Sequence, residues 1–90
     1  MASIISSTKL ERAVFWLDDS PDPGYALVEI IKPTERTIMG QLYRIRILEI
    51  LKPSFNKVKV GSTREVVEKR LVRGVDVDQV RKSGIQRKAG

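Results

Sequence analysis

The sequence predicts an α+β domain: a small antiparallel sheet of about three strands, with an N-terminal helix and a C-terminal helical pair. Three observations carry this expectation. Thr8 to Glu11 and Ser62 to Glu65 both have the S/T-x-x-E form of a capping box, and each stands before apolar residues spaced three and four apart. Between them, residues 25–32 and 41–51 are rich in β-branched and aromatic side chains. Ninety residues are too few for two independent cores, so residues 1–90 are read as one domain with mobile ends near 1–7 and 85–90.

The first helix is expected from Thr8, with Leu10, Ala13, Val14 and Leu17 forming one apolar stripe. Phe15 and Trp16 flank the stripe and are read as core or as a contact to a partner subunit, a base-stacking platform being the sharper alternative. Residues 18–24 hold two prolines, a glycine and Asp18, Asp19 and Asp22. The aspartates lack the spacing of a calcium loop and the prolines stiffen the segment, so it reads as an acidic turn without a metal site.

A strand follows over 25–32 and is expected to stop at Pro33, with the polar residues 33–41 as a long hairpin connection. In the next strand, 41–51, alternation places Tyr43, Ile45 and Ile47 on one face and Arg44 and Arg46 on the other. The phase breaks at Leu48, Glu49 and Ile50, which predicts a bulge or a strand buried on both faces near its end. After a turn at 53–56, Lys57, Val58, Lys59 and Val60 alternate as a short edge strand.

The second helix is expected from the Ser62 cap, with Val66, Val67 and Leu71 inward and Gly74 at its end. Asp76 or Asp78 then caps a short third helix running to Lys82 and closed by Ser83 and Gly84. Residues 63–85 thereby have the outline of a helix-turn-helix, but the candidate recognition helix 78–82 is too short to present several side chains to base edges. An all-β alternative makes 63–71 another strand after a turn at Val60 and Gly61, giving a barrel with almost no C-terminal helix. The agreement of Ser62 and Glu65 with the apolar spacing favours the helix.

Function is bounded first by what is missing. The chain has no Cys and no His, which removes disulfides, thiolate and imidazole metal ligands, Cys nucleophiles and the commonest general base. No phosphate-cradling glycine motif and no nucleophile–base spacing is present, so the reading is non-catalytic, with no cofactor and no metal. The apolar runs are too short for a membrane span, and residues 1–7 lack the basic start of a secretory signal. The absence of disulfides in so small a domain points to an intracellular setting, cytoplasmic or virion-associated.

Charge is the positive signal. The net charge is +6, yet residues 1–40 hold four Lys/Arg against six Asp/Glu, leaving thirteen against five in 41–90. A field of that sign concentrates nucleic acid or an acidic protein surface at the C-terminal half. The candidate phosphate contacts are Arg44, Arg46, Lys57, Lys59, Arg64, Lys69, Arg70, Arg73, Arg81, Lys82, Arg87 and Lys88. The leading expectation is therefore a nucleic-acid-binding or ribonucleoprotein-associated module. The rival is a structural subunit of a larger, possibly viral or phage, assembly that meets other chains through Phe15, Trp16 and a sheet edge as a homo- or hetero-oligomer.

Overall fold

The computed structural model describes residues 10–85, and it is dominated by a single five-stranded antiparallel sheet. The strands are β1 (Glu11–Trp16), β2 (Tyr25–Thr37), β3 (Gly40–Lys52), β4 (Thr63–Val67) and β5 (Leu71–Arg73), in the order β4-β3-β2-β1-β5. A 3-10 turn, Glu68–Arg70, joins β4 to β5, and one short helix, α1 (Val77–Ser83), follows. The α+β expectation is thus corrected: the antiparallel sheet is present but larger, and neither the N-terminal helix nor the first member of the C-terminal pair forms.

The N-terminal segment misleads because it is buried on both faces. Ala13, Phe15 and Leu17 point into one apolar cluster, while Val14 and Trp16 point into another. A strand covered on both sides reads as a continuous apolar run, from which the two-residue period cannot be recovered. The register Val14↔Leu27 and Trp16↔Tyr25 places bulky side chains opposite one another. The Trp16 and Tyr25 rings meet edge to face at 5.6 Å, an arrangement open to a strand pair.

The second misreading has a different cause. Ser62 caps no helix; its hydroxyl donates to the Lys59 carbonyl and closes the turn into β4. Val66 then faces inward opposite Tyr43, and Leu71 opposite Phe15. Spacings that look helical therefore come from two short strands separated by the three-residue turn. The helix-turn-helix outline falls with that helix, while α1 forms as expected. Asp76 caps it by accepting from the backbone N–H groups of Asp78 and Gln79, and the Gly84 N–H donates to the Val80 carbonyl at 2.7 Å. The barrel-like alternative with little helix describes the chain better.

Two further elements differ. Pro33 does not end β2, which continues to Thr37; among the described residues β1 pairs no further than Ile30, so Pro33 needs no donor on that side. The long connection expected over 33–41 shrinks to Ile38 and Met39, turned by Gly40 at a φ of 120°. Residues 57–60 form no strand. Val58 packs inward from an irregular segment, and the Gly61 N–H returns to the Ile47 carbonyl at 2.7 Å. By contrast the bulge in β3 is present: Leu27 pairs with Glu49 and Val28 with Ile47, leaving Leu48 unpaired.

The sheet curls because its two edge strands are tied together by only three residues. Side chains from opposite parts of the sheet consequently meet across its concave face: Arg73 of β5 donates to the Tyr43 hydroxyl of β3 at 3.2 Å. The concave face holds the main core, with Ala13, Phe15, Val28, Ile45 and Ile47 among its members. On the convex face α1 lays Val80 against Val14, Trp16 and Tyr25. Ile85, placed by sequence at the start of a mobile end, is half-buried there and donates its N–H to the Tyr25 hydroxyl at 3.1 Å.

Candidate nucleic-acid interface

The site is made where the curled sheet leaves an opening between β4, the 3-10 turn and the β3–β4 connection. In β4, Arg64 pairs with Ile45 and so faces the concave side, toward β1. Its guanidinium stands 6.0 Å from the centre of the Phe15 ring. Arg70, at the end of the 3-10 turn, places a second guanidinium 5.5 Å from the same ring and donates from Nη2 to the Trp16 carbonyl at 3.0 Å. Two cations thus share the Phe15 ring, an attraction that an aromatic quadrupole supports.

These residues, with Lys57, Val58 and Asn56, line a pocket of about 330 Å³. Asn56 is fixed in its wall by donating from Nδ2 to the Leu17 carbonyl at 2.8 Å. Arg70 also forms part of a second pocket, of about 490 Å³, lined by Trp16, Asp19, Met39, Val67 and Lys69. The two share Arg70 as a common wall. The Arg70 Nε is shut off from solvent and has no acceptor among the described residues. Leaving a buried donor of that kind unpaired costs the fold free energy.

Electrostatically the opening is one-sided. Lys57, Arg64, Lys69 and Arg70 make no ion pair among the described residues, and Asp19 is the one carboxylate in either wall. Three arginines elsewhere are matched by carboxylates. Arg46 meets Glu29 at 3.6 Å, Arg81 meets Glu49 at 2.6 Å, and Arg73 meets Glu11 at 2.6 Å and Glu68 at 3.3 Å. Arg73 is held further toward its charged form by the Glu11 carboxylate, which in turn stays below the usual carboxylate range.

The sequence-predicted cations are therefore divided. Lys57, Arg64, Lys69 and Arg70 come together. Arg44 and Arg46 lie exposed on the convex face of β3, Lys59 in the turn before β4, and Arg81 and Lys82 on α1. Arg73 is engaged by its carboxylates, and Arg87 and Lys88 lie outside the described residues. Phe15 and Trp16 are both buried in the chain's own core, although each lines a pocket. Asn56, Met39 and Val67 escaped sequence reasoning, because only the closure of the sheet brings them to the cations.

The acidic turn is structural. Asp18 is buried and accepts from the Ser20 and Gly24 N–H groups, at 2.8 and 3.2 Å, and from the hydroxyls of Ser20 and Ser54. Those bonds, the Ser20 hydroxyl foremost, hold its carboxyl well below the usual carboxylate range. Among the described residues no acidic cluster is arranged to hold a metal ion, and no helix is long and apolar enough to cross a membrane.

Comparison with protein-family models, curated proteins and solved structures finds no match to this chain.

Proposed function

We propose that the chain is a non-catalytic nucleic-acid-binding module that grips the phosphate backbone through Lys57, Arg64, Lys69 and Arg70. The observation that carries this reading is the convergence of Lys57, Arg64, Lys69 and Arg70, which make no ion pair among the described residues, on two pockets sharing Arg70. Guanidinium forks suit phosphate oxygens, and a backbone contact needs no base-reading helix. Arg46, Arg73 and Arg81 each meet a carboxylate, whereas the four pocket cations make no ion pair among the described residues.

Affinity for a mixed-sequence oligonucleotide, measured from low to physiological salt, tests the proposal. Four phosphate contacts correspond to a slope of log K on log salt of about −3. Lys69→Gln should make that slope shallower by about 0.7–0.9, whereas Lys82→Gln, which lines neither pocket, should leave it unchanged. No detectable binding at low salt would sink the reading.

The rival reading, a subunit of a larger assembly, retains one specific observation in its favour. Ile38 is fully exposed at the β2–β3 tip, and Phe55 and Val60 are exposed in the β3–β4 connection. Its original contact, Phe15 and Trp16, is occupied by the core. Light scattering on the free protein separates the two: self-association with no salt-dependent nucleic-acid binding favours the subunit.

A further inference from the structure

The two pockets that share Arg70 differ in chemistry. The Phe15 pocket is cationic, with Lys57, Arg64 and Arg70 in its walls. The neighbouring pocket is lined by Met39, Val67 and Trp16 together with Lys69, Arg70 and Asp19, so apolar and charged residues share it. Met39 is the unusual member, since it stands at the tip of the β2–β3 hairpin, is largely exposed, and has its position set by a short turn. In that turn its N–H donates to the Thr37 hydroxyl, which itself donates to the Gly40 carbonyl, each at 3.1 Å. Gly40 lies close to Val67, which ties the tip to the end of β4.

We infer that the Met39–Val67–Trp16 wall receives an unpaired base while the adjoining Arg64–Arg70 pocket holds its phosphate, so that the ligand is single-stranded nucleic acid. This deepens the phosphate-binding reading and rests on it. A phosphate alone uses the cations and leaves the apolar wall wet. A duplex presents phosphates with its bases stacked inside, so it too leaves that wall unused. An unpaired nucleotide covers both, and base contact with a polarisable or aromatic surface is tolerant of sequence. Among the described residues no helix is long enough to read a major groove.

Trp16 is the only tryptophan of the chain and one of the residues lining this pocket, so its fluorescence is the probe for what fills it. The experiment titrates the full chain with oligothymidine, oligouridine, an abasic oligomer of equal length and a matched duplex at fixed low salt. The expected result is at least about tenfold tighter binding of either single strand than of the abasic oligomer or the duplex, with a Trp16 emission change only for ligands bearing unpaired bases. Met39→Ala should weaken the better single strand about 5- to 30-fold and leave the abasic oligomer unchanged. Equal affinity for all four ligands with silent Trp16 emission overturns the inference while leaving phosphate binding standing. Failure of all four to bind overturns both.

Discussion

Arg70 sets its guanidinium 5.5 Å from the Phe15 ring centre while donating to the carbonyl of the very next residue, Trp16, at 3.0 Å. One side chain from the 3-10 turn thereby fastens the closing segment to β1 and builds the wall common to both pockets. Arg70→Ala should cost about 1–2 kcal/mol of stability, the combined worth of one hydrogen bond and one cation–π contact, read by urea unfolding. It should also weaken oligonucleotide binding. Arg70→Lys keeps the charge but loses the planar fork, so it should restore part of the salt-dependent affinity and little of the stability.

The reach of Arg70 shows where the sequence stopped being informative. Alternation in 43–47 correctly separates Tyr43, Ile45 and Ile47 from Arg44 and Arg46, because β3 has one covered and one wetter face there. The Leu48 bulge and α1 were legible for similarly local reasons, a phase break and an aspartate cap. β1 was not, since Ala13 to Leu17 are covered on both sides and carry no period. Nor was the site. Lys57, Arg64, Lys69 and Arg70 could be named as cations, but only the curling of the sheet over Phe15 separates them from Arg46, Arg73 and Arg81, each of which finds a carboxylate.

Gly24 marks the point where the β1–β2 turn presses on the β3–β4 connection. A Cβ there would stand 2.6 Å from the Ser54 Cβ and 2.7 Å from the carbonyl oxygens of Lys52 and Pro53. Two of the three obstacles are backbone and cannot rotate aside. Gly24→Ala should therefore destabilise by about 2–3 kcal/mol, moving the urea midpoint down by about 1 M or more. Gly74→Ala is the matched control: its Cβ would meet nothing within 4 Å, so only the strain of a φ near 72° remains, about 1–2 kcal/mol.

Asp18 ties the same turn together and predicts how stability responds to acid. Its carboxyl titrates lower in the folded chain than in the unfolded one, through the bonds from Ser20, Ser54 and Gly24. The stabilisation is therefore complete above the unfolded carboxylate value of about 4 and is lost as pH falls from there toward the folded one. Glu11, lowered by Arg73, works in the same direction. Melting temperatures measured between about pH 6 and pH 2 should fall steeply for the parent chain. Asp18→Asn should melt lower at neutral pH by about 5–10 °C and show a shallower acid limb. A parallel curve for the variant would remove Asp18 from this role.

Arg73 supplies the counter-example that isolates what makes a cation part of the site. Its fork meets both oxygens of Glu11, at 2.6 and 2.9 Å, while Nη1 reaches Glu68 and the Tyr43 hydroxyl. Both partners are more than one-third exposed, so solvent screens the pair. A double-mutant cycle with Glu11→Gln and Arg73→Met should give a coupling of about 0.5–1 kcal/mol at low salt, shrinking as salt is added. Binding should behave differently. Because two carboxylates already match its charge, Arg73→Met should leave oligonucleotide affinity within about twofold of the parent, while Arg64→Met, whose guanidinium has no carboxylate partner among the described residues, should lower affinity and flatten the salt slope by about 0.7–0.9. Equal losses for the two variants would mean that total charge, rather than convergence on the Phe15 pocket, governs binding.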